Sequence, residues 1–146
     1  MSVQGTIRGL TSYAGKDIPG EKRHSVRLLE GLGMEGDFYA QGGDRQLSFL
    51  SVEDKQWMND QTEPGLCFAR YKENILFDNI PSDSLIPGSR FTIGEAVLEL
   101  SSVSKHCYEQ CRLFSRGQRC VLAGRCHFAK VIHSGTVSIG DRIEKE

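Results

Sequence analysis

The feature that most constrains this chain is its punctuation. Short runs recur from end to end, "VQGTIRGL", "HSVRLL", "QLSFL", "LCFARY", "RFTI", "AVLELSS", "HFAKVI" and "TVSI", each followed by turn-forming residues. They alternate apolar with polar positions or favour β-branched and aromatic residues, the pattern of half-buried strands rather than helices. Strands this short are stable only when paired in a larger sheet, so the chain is expected to be mainly β, a sandwich or a closed barrel. Sixteen glycines are spread along the chain without a low-complexity tract or a composition shift that would mark a linker, so residues 1–146 read as one domain. A domain of 146 residues buries roughly 70% of the surface its unfolded chain exposes, and needs no covalent staple to fold.

One stretch reads as helix. Ser51 is placed to cap "VEDKQWMND", with Asp54 three residues on completing a capping-box pattern and Val52, Trp57 and Met58 giving an apolar side. A second short helix is expected near "SDSL". Two later segments, "FTIGEAVLEL" and "VSIGDRIEKE", run apolar, hydroxyl, Ile, Gly, acid before a new strand, so Gly94 and Gly140 are expected to supply the positive φ of two tight hairpin-like turns.

A formal charge of −1 creates no field that would draw the protein to nucleic acid or an anionic membrane, which leaves small molecules and proteins as the expected partners. The start, "MSVQGTIRGL", lacks the basic residues and long apolar run of a signal peptide, and the expected location is the cytoplasm. In that reducing compartment thiols are free, and five cysteines is an odd number, so a disulfide framework is the least favoured explanation for them.

Four of those cysteines crowd into "SKHCYEQCRLFSRGQRCVLAGRCHF" with the spacing C-x3-C-x8-C-x5-C, and His106 and His127 each adjoin a cysteine. Structural zinc sites usually present tighter C-x2-C pairs, so this spacing is loose for zinc, though a zinc-stabilised interaction module stays open. The other reading is one thiol chosen for reactivity. Cys107 follows Lys105 and His106 and precedes Arg112, and nearby positive charge raises a thiol's thiolate fraction. Cys67, inside "LCFAR", reads as a small buried apolar residue. His24 and His133 read as surface or capping residues.

The loop "GMEGDFYAQGGDRQLSFL" carries four glycines and two aspartates before an apolar run. It is neither a Walker A loop nor a dinucleotide-binding glycine pattern, and its alternatives are a plain turn or a nest of N–H groups around an anion. Arg45 stands at its end, either aimed at an anion or paired with Asp37 or Asp44. In "RYKENI" alternation would put Arg70, Lys72 and Asn74 on one strand face, suited to an anion or simply solvated.

The ordered segments "EGLGMEGDFYAQGGDRQLSFLSVE", "ARYKENI", "IPGSRFTIGEAVLELSSVSKHC" and "FAKVIHSGTVSIGDRI" together resemble the MOSC domain, named for the C-terminal domain of molybdenum-cofactor sulfurases, in its compact stand-alone form. The resemblance implies a closed β-barrel of the pyruvate-kinase β-barrel type with one or two short helices. It also implies a role in binding the pterin molybdenum cofactor (molybdopterin) or in carrying sulfur for it. The protein would then be a sulfurtransferase or a molybdenum-cofactor-dependent reductase, partnered by a separate cysteine desulfurase or a molybdoenzyme. By position Cys107 matches the family's cysteine, as persulfide carrier or molybdenum ligand, with Cys111 the second choice. Arg45, Lys72 and Asn74 match the polar face where a pterin phosphate would sit, and Gly36 and Asp37 match the loop signature. Tyr39 stands where many compact relatives have histidine, and Ala14 where a lysine is common, with Lys16 following.

Overall fold

The computed structural model describes residues 3–15, 18–43, 46–60, 73–103 and 127–146. Their strands are β1 (Gln4–Ser12), β2 (Glu21–Arg23), β3 (Ser25–Leu29), β4 (Gly33–Met34), β5 (Leu47–Ser51), β6 (Ile75–Asp78), β7 (Arg90–Ile93), β8 (Ala96–Val103), β9 (His127–His133), β10 (Gly135–Ser138) and β11 (Arg142–Lys145). One helix, α1 (Val52–Asp60), follows β5, and a single 3-10 turn covers Ser82–Ser84 in the "SDSL" stretch. The run "LCFARY" lies outside the described residues.

Seven strands close a barrel in the order β1, β6, β5, β9, β8, β7, β11, with β11 returning to β1. The first half of β1 pairs with β11, Gln4 opposite Glu144, and its second half pairs with β2, Leu10 opposite Arg23. Closure satisfies the backbone groups that an open sheet would leave at its edges. Every pairing in the barrel is antiparallel except β5 with β6, where Phe49 lies opposite Ile75. Parallel neighbours need a crossover rather than a hairpin, and α1 begins that crossover.

The barrel interior is filled by alternate residues: Phe91 and Ile93 from β7, Ala96, Leu98 and Leu100 from β8, Ala129 and Val131 from β9. On β1 the register shifts between Ile7 and Gly9, so Ile7 and Leu10 both belong to this core despite their odd spacing. Phe49 and Phe77 stack across the parallel pair, ring centroids 4.2 Å apart and planes 23° apart. A three-stranded sheet, β10-β3-β4, adds Val26, Leu28, Met34 and Val137 to the same cluster.

A second small cluster lies outside the barrel wall, where Leu50 and Phe128 meet Met58 of α1, with Trp57 and Leu76 packed alongside. This is why β5 is buried on both faces. The helix starts as its sequence requires, the Asp54 N–H donating to Ser51 Oγ at 3.1 Å. Gly94 has φ 59° in the two-residue turn between β7 and β8, where Ile93 faces Ala96. Gly140 has φ 94°, but its turn does not close a hairpin. It passes the chain from the small sheet to the barrel, with the Gly140 N–H donating to Ile7 O at 2.8 Å and the Ile7 N–H to Asp141 O at 2.9 Å.

Candidate functional site

Because β5 and β6 run parallel, the segments leading into them meet at the same end of the barrel. The glycine-rich loop enters β5 there, and Glu73 and Asn74 enter β6. Gly36 takes φ 83°, with open space where a Cβ would stand, and turns the chain so that Asp37 points inward. Asp37 Oδ1 accepts the Tyr13 N–H at 2.8 Å, and the Phe38 N–H donates to Tyr13 O at 2.7 Å. This reciprocal pair fixes the loop on the end of β1. The Tyr13 hydroxyl then donates to Glu73 O at 3.0 Å, carrying the connection to β6.

Asn74, 2% exposed, is the hub. Its Oδ1 accepts from the Ser48 N–H at 2.9 Å and lies 3.1 Å from Ser48 Oγ, and its Nδ2 donates to Thr11 O at 3.1 Å. One amide therefore joins β1, β5 and the entrance to β6. It sits just before β6 rather than on an exposed strand face. Gln46 plays a similar part on the other side, donating to Gly43 O at 3.0 Å and accepting the Val131 N–H at 2.9 Å. Outside, Lys55 Nζ of α1 reaches Glu73 Oε1 at 2.9 Å.

Asp37 is 7% exposed, and its Oδ2 meets no hydrogen-bond donor among the described residues. Burial pushes its carboxyl above the ordinary aspartate range, opposed most by the hydrogen bond from the Tyr13 backbone. Burial likewise raises the Tyr13 phenol, helped by the negative charges of Glu73 and Asp37 and by Tyr39, so Tyr13 stays a protonated donor. The edge-to-face contact of Tyr13 with Tyr39, centroids 6.1 Å apart, places Tyr39 over this cluster.

A carboxyl whose folded pKa is raised contributes most stability below its unfolded pKa and loses it as pH rises through the folded value. Asp37→Asn keeps an acceptor for the Tyr13 N–H and removes the charge. The variant is therefore expected to gain melting temperature relative to the parent as pH rises from about 4 to about 7. Thermal unfolding of both proteins across that range checks it; a constant or shrinking difference contradicts the assignment.

Of the residues singled out from sequence, Gly36, Asp37 and Asn74 come together here. Arg45, Lys72, Cys107 and Cys111 lie outside the described residues, as do Cys67, Cys120 and Cys126. Gln46 and Glu73, the neighbours of Arg45 and Lys72, both stand at the Asp37 end. The cysteine-bearing segment departs after Val103 and returns at His127, which pair with each other, with His127 opposite Phe49 of β5. Those departure and return points lie toward the opposite end of β5 from Asp37. His127 is 3% exposed. His133 is exposed, its Nδ1 within 2.9 Å of Glu95 O, the capping role its sequence position suggests. Gln46 and Glu73 lie within the segments "DRQLSFL" and "ARYKENI" that carry the family resemblance, whereas Tyr13 and Lys55 carry no sequence signal of their own, and only tertiary pairing brings them to the site. Among the described residues no three His, Cys, Asp or Glu side chains gather in a metal-binding group.

Fold and site together define a small closed β-barrel with a buried carboxyl–tyrosine–amide cluster beneath a glycine-aspartate loop. Residues 34–144 match the MOSC domain, and the chain belongs to that family. Family membership associates it with molybdenum-cofactor sulfurase-type function. Among solved structures, the YuaD protein of Bacillus subtilis is similar over 99% of this chain and 97% of its own, with a TM-score of 0.76 and 20% identity. YiiM from Escherichia coli aligns over 97% of this chain and 69% of its own, with a TM-score of 0.62 and 21% identity. YiiM from Geobacillus stearothermophilus gives a TM-score of 0.62 at 15% identity, over 97% of this chain and 75% of its own. At these identities the likeness speaks to fold. No curated protein matches the sequence.

Asn74 and Asp37 are not placed to ligate a pterin phosphate directly. Asn74 spends its amide inside the fold, and Asp37 is a buried acceptor that would repel an anion. No helix among the described residues is long and apolar enough to cross a membrane.

Proposed function

We propose that the protein handles sulfur for the molybdenum cofactor, with Cys107 carrying a sulfane sulfur and Arg45 and Lys72 offering the cationic donors that hold a pterin phosphate. The observation that carries this reading is the convergence of Gly36, Asp37 and Asn74, distant in sequence, at one barrel end in a chain of the MOSC family. The Asp37–Tyr13 and Asn74–Ser48 bonds hold the loop and both strand entrances. The cofactor, when bound, supplies the metal centre that accepts sulfur.

The chemistry on the protein is transpersulfidation. The Cys107 thiolate attacks the outer sulfur of a persulfide on a partner cysteine desulfurase. The new S–S bond forms as the donor's S–S bond breaks, and the donor cysteine leaves as thiolate. No net oxidant is needed. Lys105, His106 and Arg112, its sequence neighbours, favour the thiolate. The same thiolate is the group that would ligate molybdenum in a reductase, so the test reads both.

Anaerobically purified protein is incubated with a cysteine desulfurase and cysteine, then analysed by intact mass and elemental content. The expected outcome is an adduct of about 32 Da, one sulfur atom, removed by reductant. No adduct on any cysteine contradicts sulfur carriage; bound molybdenum without an adduct shifts the role to cofactor ligation. Stoichiometric zinc whose removal unfolds the protein makes it a zinc-stabilised module.

A further inference from the structure

Asp37 carries an acceptor that the described fold does not use. Its Oδ1 takes the Tyr13 N–H at 2.8 Å, but its Oδ2, in a residue only 7% exposed, meets no donor among the described residues. Lys55 is committed to Glu73 Oε1 at 2.9 Å. A buried acceptor left empty is costly and native folds keep few of them, so this oxygen calls for a partner.

Its neighbours in the loop indicate what kind. Gly36 takes φ 83° and has no atom within 4 Å of the position a Cβ would occupy, so the loop is open there rather than packed. On the other side of Asp37 stand two aromatic rings. Phe38, 44% exposed, meets Tyr39 edge to face at 5.2 Å, and the half-buried Tyr39 meets Tyr13 in the same manner at 6.1 Å. Aromatic side chains of this kind stack on heterocycles. Four consecutive residues, Gly36 to Tyr39, thus bring together open space, an empty buried acceptor and aromatic surface. That combination suits a flat ring with an N–H at its edge, whereas an anionic group would meet the Asp37 carboxylate.

We infer that Asp37 reads the ring of the cofactor: Oδ2 accepts an N–H from the 2-amino-4-oxopyrimidine edge of a pterin, with Phe38 and Tyr39 as its aromatic wall. The inference rests on the proposed handling of the molybdenum cofactor, and adds the group that distinguishes a pterin ring from one without edge donors. It also sets a direction, since the ring edge and not the phosphate faces Asp37. Oδ2 is screened from water, so the donor reaches it as the Tyr39 ring, held by its two edge-to-face contacts, shifts aside. Guanine presents the same edge, and the test separates the two.

Amide and aromatic chemical-shift mapping on the whole protein uses 6-hydroxymethylpterin, 6-hydroxymethyl-1,3-dimethyllumazine, which keeps the fused rings without an N–H, and guanosine. The pterin is expected to give saturable shifts at Tyr13 and at Gly36, Asp37, Phe38 and Tyr39. The dimethyllumazine should bind at least about tenfold more weakly. Asp37→Asn keeps an acceptor for the Tyr13 N–H and turns an amide N–H toward the ligand, so it should lose at least about tenfold in pterin affinity. Phe38→Ala removes an exposed ring, should melt near the parent and should weaken the pterin about fivefold. If Asp37→Asn does not fold, the contrast between the two pteridines on the parent protein still decides. Absence of pterin binding, equal binding of the two pteridines, or shifts confined to other residues overturns the inference. Guanosine binding as tightly as the pterin, or more so, makes the ligand a purine and overturns it too. A sulfur adduct without pterin binding sinks this inference alone, and pterin binding without an adduct leaves it standing while sulfur carriage falls.

Discussion

Asn74→Ala is expected to lower unfolding stability by about 2–4 kcal/mol, among the largest effects of any single change in the described polar residues. The cost lies in the groups left behind. Truncation strands the Ser48 N–H and the Thr11 carbonyl, which lose partners at 2.9 and 3.1 Å in a region where Asn74 itself is 2% exposed. Each buried group left unsatisfied costs about 1–3 kcal/mol. The Ser48 hydroxyl suffers less, because it also accepts the Asn74 backbone N–H at 3.0 Å, a bond the variant keeps. Asn74→Asp is the informative companion. It retains acceptors for Ser48 but loses the donor to Thr11 and brings a second carboxyl toward Asp37, so it should be the less stable of the two at neutral pH. Chemical denaturation of purified protein measures both. An asparagine whose task were confined to a bound pterin would leave the midpoint unchanged in cofactor-free protein.

That prediction also shows how far the sequence could be read. Strand runs were legible because their alternation is local: "RFTI", "AVLELSS" and "HFAKVI" became β7, β8 and β9. The Ser51 cap was legible for the same reason, since Ser51 and Asp54 lie within one turn. Alternation says which face is buried, but not which strand lies alongside. The closure of β1 on β11 and the parallel placement of β5 beside β6 are pairings between distant segments, and nothing local encodes them. "ILFD" escaped as a strand because β6 is mostly buried on both faces, under the core and beside α1, which erases alternation. The Gly140 segment looked like a second hairpin because the glycine conformation was right; the destination of the chain after it was not local information.

The site was legible to the same degree. Gly36, Asp37 and Asn74 could be named from the family's ordered pattern, but their mutual bonds could not. Tyr13 lies 24 residues from Asp37 in sequence and 60 from Glu73, and only the closed barrel makes its N–H and hydroxyl the link between them. The resemblance marked the ends of the network, and the fold supplied the middle. A buried cluster of this kind gives the glycine-aspartate loop a fixed seat at that end of the barrel.

Cys107→Ser is expected to abolish the sulfur adduct, a loss of about two orders of magnitude or more in labelling. A serine hydroxyl cannot form the S–S bond, and at neutral pH it is not ionised as a thiol flanked by Lys105, His106 and Arg112 can be. Cys111→Ser should retain most of the adduct if Cys107 is the carrier. Its retained adduct should also be longer-lived if Cys111 otherwise attacks the persulfide to form a disulfide and release the outer sulfur as sulfide. Parallel melting curves separate chemistry from folding: a change from thiol to hydroxyl at a reactive position leaves the transition near that of the parent, whereas a zinc ligand does not. Should Cys111→Ser lose the adduct and Cys107→Ser keep it, the roles exchange while sulfur carriage stands. Should neither change matter, the sulfur resides on Cys120, Cys126 or Cys67, and the family's positional match to Cys107 does not hold for this chain.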